Sequence, residues 1–253
     1  MYYSSQIAML LPMSTEQRGL LFFAWGTSLA AALVAIAVWG ERINWHVPNL
    51  SVYQLFPLFG LLAYGLMWSH FITSAIRKYY GLGKSVTARY FKITSSIVLV
   101  AICLHPGLLS WQLSRDGFGF PPQSYLRHYV APGLQWVGLL GTVSLFVFLA
   151  YELHRWFNDR PWWRFFGYAS ELAMLGIFYH AFRLGADLQT GWFRSIWLYY
   201  GLTLLISLAY IHGVPGTVIK FKKPPAPGRK TENIIIVAVA AALVVDGYAL
   251  IGG

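Results

Sequence analysis

The chain has 253 residues, of which 57% are hydrophobic and 11% charged, and its mean hydropathy is +0.53. Soluble domains carry about 25% charged residues, so this composition excludes a soluble globular protein and predicts an all-α integral membrane protein. The single cysteine, Cys103, excludes an intrachain disulfide and a cysteine-ligated iron–sulfur or zinc site.

Apolar runs of about 20 residues, the length needed to cross a bilayer, divide nearly the whole chain. We predict about seven transmembrane helices, at roughly 19–40, 52–76, 91–113, 131–153, 164–185, 194–213 and 233–252. The longest connections, about 113–130 and 214–232, are too short for a flavin- or nucleotide-binding domain. We therefore expect any such reaction to take place on a partner protein.

The net charge of +10 is concentrated in alternate connections. The connections 76–92, 154–164 and 214–232 are basic, whereas those between them are nearly neutral. This alternation is the positive-inside pattern, so it indicates topology and not nucleic-acid binding. It predicts a cytoplasmic N-terminus and an outer C-terminus in a bacterial cytoplasmic membrane. The first twelve residues lack the basic start of a signal peptide, so we expect the first helix to be retained.

The first helix, expected to be capped by Ser14 or Thr15, contains no interior charge and is predicted to lie at the periphery. The second helix has His70 toward its cytoplasmic end. The third helix contains His105 in its outer half, followed by Pro106, which removes a backbone hydrogen bond and is expected to bend the helix. The fifth helix contains Glu171 and, in its outer third, His180.

His105 and His180 form the candidate site. Counted from the helix midpoints, the two residues lie about 5 and 9 Å outward, so their rings can share one depth. Two neutral imidazoles on facing helices are the ligand set of a bis-histidine haem b, with an apolar slot for the macrocycle. Alternatively, each imidazole hydrogen-bonds a carbonyl of a neighbouring helix. Arg183, Arg127 and His128 are candidate partners for the haem propionates at the outer surface.

The other polar residues allow more than one interpretation. His70, His154 and His212 lie on the cytoplasmic side near predicted helix ends, where a solvated or headgroup role is commoner than a second haem site. Glu171 either relays protons to a quinone or is a hydrogen-bonded structural carboxyl. Asp246 is expected near the outer interface, and the absence of lysine from the seventh helix excludes a retinal Schiff base there.

Three stretches resemble the ferric-reductase-like transmembrane domain, the haem-binding core of ferric reductases, NADPH oxidases and the haem subunit of methionine-sulfoxide reductase systems. They are Leu104-His105-Pro106, Tyr179-His180-Ala181 and the WWRFF sequence at 162–166, with a basic stretch preceding the third helix. The resemblance covers about residues 52–213. It implies haem ligation from the third and fifth helices.

This chain departs from the family at the positions of a second, inner haem. The family's additional histidines would fall at Phe91 and Gly167, and neither residue can ligate iron. The resemblance therefore implies a single outer haem.

The predicted organisation is an N-terminal part with the first helix at 1–51, a haem-binding helical core at 52–213, a basic proline-rich linker at 214–232 and a C-terminal helix at 233–253. The first six helices form the predicted haem-binding bundle, and the seventh is an addition to it. The leading hypothesis is a membrane cytochrome b that passes single electrons between a quinol or a redox protein partner and an acceptor at the outer face. The alternative is a haem-free scaffold subunit of a larger membrane complex. A transporter is less favoured, because the predicted spans contain no buried charge clusters and the sequence has no internal repeat.

Overall fold

A computed structural model describes residues 13–154, 163–189 and 191–213, and in these residues it contains helices and connections but no strand. Six long helices are joined by short connections, one of which contains a short helix. They are α1 (Thr15–Arg42), α2 (Val52–Tyr79), α3 (Ala88–Arg115), the short α4 (Gln123–His128), α5 (Gln135–His154), α6 (Trp163–Leu184) and α7 (Trp192–Gly213). The first six predicted spans are therefore helices, within a few residues of the predicted bounds at most ends. The predicted linker and the seventh helix, with Asp246, lie outside the described residues.

Four helices are long and apolar enough to cross a membrane: α1, α2, α3 with its preceding 3-10 turn, and α7. Their outward faces carry large apolar side chains that water would not favour, such as Phe22, Leu29 and Leu202. The protein therefore fits a membrane environment. Helices α5 and α6 have 20 and 22 residues, and the continuously apolar part of α5 is the shorter stretch Gln135–Ala150.

The helix starts follow local sequence signals. Ser14 and Ser51 each accept a hydrogen bond from the backbone N–H three residues later, and Gln17 and Gln54 bond back to the backbone N–H of the serine. Both starts are capping boxes, which confirms the prediction of Ser14 as a cap. Helix α3 continues through Pro106, and α2 likewise contains Pro57.

The bundle is organised around α2, which packs against α1, α3 and α7. Helices α5 and α6 form a second tight pair, and few backbone positions of this pair approach α2 or α3 closely. Aromatic side chains cross the space between them, for example the Tyr64 ring of α2 against Phe178 of α6 and Trp197 of α7. The fold thus consists of two helical hairpins, α2–α3 and α5–α6, that are joined by side chains more than by backbone packing.

Three buried hydroxyl groups fasten α1 to the first hairpin. Ser28 Oγ, Ser69 Oγ and Tyr90 OH lie 2.8 Å from one another, and Ser69 also donates to the Leu66 carbonyl. Because lipid offers no hydrophobic drive for helices to associate, such polar contacts are a usual means of holding membrane helices together. At the opposite end, Arg42 of α1 pairs with Asp187 in the α6–α7 connection at 3.2 Å.

Candidate functional site: two matched histidine half-sites

His105 lies on α3 and is held by the neighbouring helix α2. Its Nδ1 is 2.9 Å from the main-chain carbonyl oxygen of Phe56. A carbonyl oxygen only accepts, so Nδ1 carries the proton and donates it. In the neutral ring, the Nε2 atom then presents its lone pair, which is the form of imidazole that ligates a metal.

His180 on α6 repeats this arrangement with α5. Its Nδ1 is 2.8 Å from the carbonyl oxygen of Val137, so it too donates from Nδ1 and leaves the lone pair on Nε2. Each histidine is thus held by the helix that precedes its own helix in the chain. The alternative hypothesis of a hydrogen bond to a helix carbonyl is confirmed for one nitrogen of each ring and leaves the other nitrogen to be explained.

A glycine beside each imidazole makes the arrangement possible. Gly60 follows Phe56 by four positions and Gly141 follows Val137 by four, which places each glycine one turn along the helix that supplies the carbonyl. A Cβ at Gly60 would lie 2.8 Å from His105 Nδ1, and one at Gly141 would lie 2.6 Å from His180 Nδ1. No larger residue fits beside the rings as they stand.

The Nε2 atoms of both rings are partly accessible and unbonded among the described residues. Neither makes a hydrogen bond with any described residue, and neither is among the sealed polar atoms that lack a partner. Both side chains are half-buried. Each ring is therefore partly enclosed by protein and keeps an accessible nitrogen.

The outer side of the His105 half is covered by aromatic rings. Phe56 lies 5.2 Å from the His105 ring, Tyr129 packs edge-on to Phe56 at 5.7 Å, and Tyr53 stacks on Tyr129 at 6.0 Å. Burial raises the pKa of the Tyr129 phenol, and the nearby Arg42 guanidinium opposes that rise. Tyr53 donates to Asp116 at the end of α3. These rings cover His105 on the side of the bundle where α3 ends.

The structure places the three predicted propionate partners at the same end of the bundle. Arg127 and His128 lie on α4, and Arg183 lies in the last turn of α6; all three are exposed. His128 stacks on Phe118 at 4.6 Å. Neither Arg127 nor Arg183 forms an ion pair within the described residues, so both guanidinium groups are available to an anionic partner.

The positions that correspond to an inner haem hold no ligand. Phe91 packs against the His70 ring at 5.0 Å and beneath the Arg77 guanidinium at 5.7 Å. His70 Nε2 lies 2.6 Å from the hydroxyl of Thr94, whose own proton goes to the Tyr90 carbonyl, so His70 donates. Since α2 continues to Tyr79, His70 lies well inside the helix and not near its end as expected. The side chain of His154 lies outside the described residues.

Glu171 has a partner that the sequence did not reveal. Its Oε2 lies 2.7 Å from Nε2 of His212 near the end of α7, and both side chains are partly exposed, at 23% and 42%. The Tyr168 ring, one turn earlier on α6, lies 5.5 Å from the His212 ring. Lys78 of α2 donates to the carbonyl of Ile211 beside them.

In the described part of the chain, no group of three or more His, Cys, Asp and Glu side chains is placed to hold a metal ion. A bis-histidine haem requires only two protein ligands, because the macrocycle supplies the other four. No family model, curated protein or solved structure matches the chain.

Reasoning from the sequence identified both histidines but missed the residues that orient them: Phe56, Gly60, Val137 and Gly141. Phe56 and Val137 act through their main-chain carbonyls, so the identity of their side chains does not indicate this role in the sequence. The glycines carry a weak one, since a glycine inside an apolar helix often marks a close approach. The pairing of glycine with histidine became visible only from the helix packing.

Proposed function

We propose that the protein is a membrane cytochrome b that holds one haem b between His105 and His180. The observation that carries this proposal is the matched state of the two rings, in which each Nδ1 donates to a carbonyl and each Nε2 is partly accessible and unbonded among the described residues. Ligating histidines generally donate their second ring N–H to a carbonyl or carboxylate, which fixes the tautomer and the ring orientation. When bound, haem b supplies one-electron chemistry at its iron.

The residues around the rings have separate tasks under this proposal. The Phe56 and Val137 carbonyls fix the two Nδ1 protons, and Gly60 and Gly141 allow the imidazoles to lie close to the helix backbones. The aromatic cover of Phe56 and Tyr129 keeps water from the His105 side. Arg127 and Arg183, with His128, neutralise carboxylates at the outer end.

A single haem is favoured over two. The Phe91 ring occupies the position that a second histidine of α3 would take, and Gly167 on α6 has no side chain with which to ligate. This departure leaves the resemblance to ferric-reductase-like proteins as part of the proposal and restricts it to the outer haem.

The proposed topology has seven spans, with the N-terminus in the cytoplasm and the C-terminus outside a bacterial cytoplasmic membrane. The six described long helices form the haem-binding bundle. Electrons pass between a quinol or a redox protein partner and an acceptor at the outer face, and the chain belongs to a larger membrane complex or meets its partner transiently.

The test is a dithionite-reduced minus oxidised visible spectrum of the detergent-purified protein, with a pyridine haemochrome count. We expect a haem b spectrum at about one haem per chain. Folded protein without haem, made in cells with haem available, would defeat the proposal and favour the scaffold, in which the two carbonyl bonds serve only to pack helices. Two haems per chain would contradict the single-haem assignment and return attention to His70, His154 and His212.

A further inference from the structure

The carboxylate–imidazole pair of Glu171 and His212 has no role in the histidine site. It joins α6 to α7 at the end of the bundle opposite the Arg42–Asp187 pair. Between these two contacts lie nearly the whole of α7 and the second half of α6. The pair therefore forms a separate polar site, at the end of the bundle that the loop charges assign to the cytoplasm.

The surroundings of the pair open toward lipid. On α6, Phe165, Tyr168 and Leu172 are 74%, 58% and 69% exposed, and on α7 Leu205 and Ile206 are also exposed. A partly exposed carboxylate and imidazole within such an apolar face are accessible to a molecule that moves in the bilayer. A charged group at this depth is costly to keep, so it favours a functional role.

The two side chains of the pair can accept protons from a ligand that gives up hydrogen atoms. With His212 Nε2–H donated to Glu171 Oε2, a neutral His212 can accept a proton at Nδ1, and the carboxylate can accept another. His180 lies nine residues beyond Glu171 on the same helix, about 13 Å along its axis. Helix α6 thus carries both the proton-accepting carboxylate and His180, and α7 supplies the second proton acceptor.

We propose that the Glu171–His212 pair is the binding and proton-accepting site for a lipid-soluble hydroquinone that donates electrons to the haem. This inference rests on the proposed function. The two O–H bonds of the hydroquinone break, one proton passes to the Glu171 carboxylate and the other to His212, and the product is the quinone. The two electrons of the hydroquinone would pass one at a time to the haem b that His180 and His105 would hold, and from it to a one-electron acceptor at the outer face.

The Tyr168 ring and the aliphatic side chains around the pair bind the body of the ligand. The ring stands one turn from Glu171 and against His212, in a position to lie beside a planar aromatic head. The Lys78 ammonium, held by the Ile211 carbonyl, adds a positive charge close to His212.

Photoaffinity labelling with an azido-quinone, mapped by mass spectrometry on the full-length protein in liposomes, tests the site independently of turnover. The variants are Glu171→Gln and His212→Gln, and the matched control is Glu16→Gln, which neutralises an exposed carboxylate at the same end of the bundle on α1. We expect label on α6 or α7 in the unmodified protein and in the control, and about a tenfold loss in the two variants, since each removes a charge-assisted hydrogen bond.

Haem content, measured on the same samples, separates the two proposals. Equal haem in all four proteins, together with lost labelling and slow reduction of the haem by decyl-ubiquinol in the two variants, supports the site. Unchanged labelling in Glu171→Gln and His212→Gln, or label mapping to other helices, overturns it and leaves the cytochrome intact. Protein without haem in the unmodified chain defeats the cytochrome, and labelling at α6 and α7 would then identify a quinone site without that electron path.

Discussion

The His105 half-site and the His180 half-site share their inner geometry and differ in what covers them. In both, a carbonyl of the preceding helix holds Nδ1, and a glycine one turn further lies beside the ring. On the His105 side the cover consists of the aromatic rings of Phe56, Tyr129 and Tyr53. On the His180 side, the side chains next to Gly138 of the supporting helix are Leu126, Val130 and the ring of Tyr125, so aliphatic side chains accompany a single aromatic ring there.

The comparison separates the features that a haem-ligating histidine requires from the features that adjust the properties of the haem. The shared features fix the proton position and the ring orientation, without which neither nitrogen is available to iron. The features that differ control access of water and local polarity, which tune a haem without deciding whether it binds. Changes to the shared features should therefore affect both halves alike, and changes to the cover should affect one half.

The largest expected effect is that of removing a ligand. We expect His105→Ala and His180→Ala each to reduce bound haem from about one per chain to nearly none, because the remaining imidazole supplies one axial ligand where the site is built for two. The pyridine haemochrome assay on purified protein measures this. His46→Ala, in the exposed connection after α1, is the control. Full retention of haem by either single variant would break the symmetry of the two halves.

The glycine variants test whether the close fit is equally strict in both halves. Gly60→Ala and Gly141→Ala place a methyl group 2.8 and 2.6 Å from the ring, and such overpacking costs about 1–3 kcal/mol. We expect weaker haem binding in both, more so for Gly141→Ala, as measured by haem loss to apomyoglobin. Gly107→Ala on α3 and Gly167→Ala on α6 are matched controls, because a methyl group there meets nothing within 4 Å. Equal haem loss in variants and controls contradicts the assigned role.

A change in the aromatic cover should affect the His105 half alone. We expect Tyr129→Ala to lower the midpoint potential of the haem, because water admitted beside Phe56 stabilises the more highly charged ferric state. Spectroelectrochemical titration measures the shift. Trp136→Ala removes an exposed ring that stacks on Tyr179, next to His180, and should change the potential less. Equal shifts in the two variants would mean that the cover does not distinguish the halves.

The smallest effect concerns the outer link between α1 and the α6–α7 connection. Arg42→Gln removes the 3.2 Å pair with Asp187, and partly exposed ion pairs contribute about 0.2–1 kcal/mol. We expect a small fall in thermal stability in detergent with unchanged haem content. A double-mutant cycle with Asp187→Asn isolates the pair from other effects of either change. A loss of haem in Arg42→Gln would show that this link also positions Tyr129.

Much of the fold followed from the sequence because apolar length and capping are local signals. The six described long helices, the Ser14 cap and the positions of His105 and His180 along their helices needed only hydropathy and spacing. Helix α3 continues through Pro106 to Arg115, so the proline does not interrupt the helix. The bend expected there stays a prediction. A proline leaves one carbonyl without its partner, and neighbouring groups can compensate for that in a membrane helix.

The partners of the site residues were beyond sequence reasoning because they depend on which helices pack together. The Glu171–His212 contact joins residues 41 positions apart, and the Ser28–Tyr90 contact joins residues 62 apart. No periodicity in the sequence would indicate that the two residues of either contact lie together. The prediction of His70 as a residue near a helix end was wrong because the helix extends past the apolar run to the basic residues Arg77 and Lys78.

The nine-residue separation of Glu171 and His180 on α6 has an energetic consequence for the proposed route. The roughly 13 Å between them is a little under half of a hydrocarbon core about 30 Å thick. An electron that travels this distance outward, while its proton returns to the inner side, moves charge across part of the membrane. Moving one charge across the whole membrane at 100 mV changes the free energy by about 2.3 kcal/mol. Moving one electron across this part of it therefore changes the free energy by about 1 kcal/mol. The rate of haem reduction in energised vesicles would then depend on voltage.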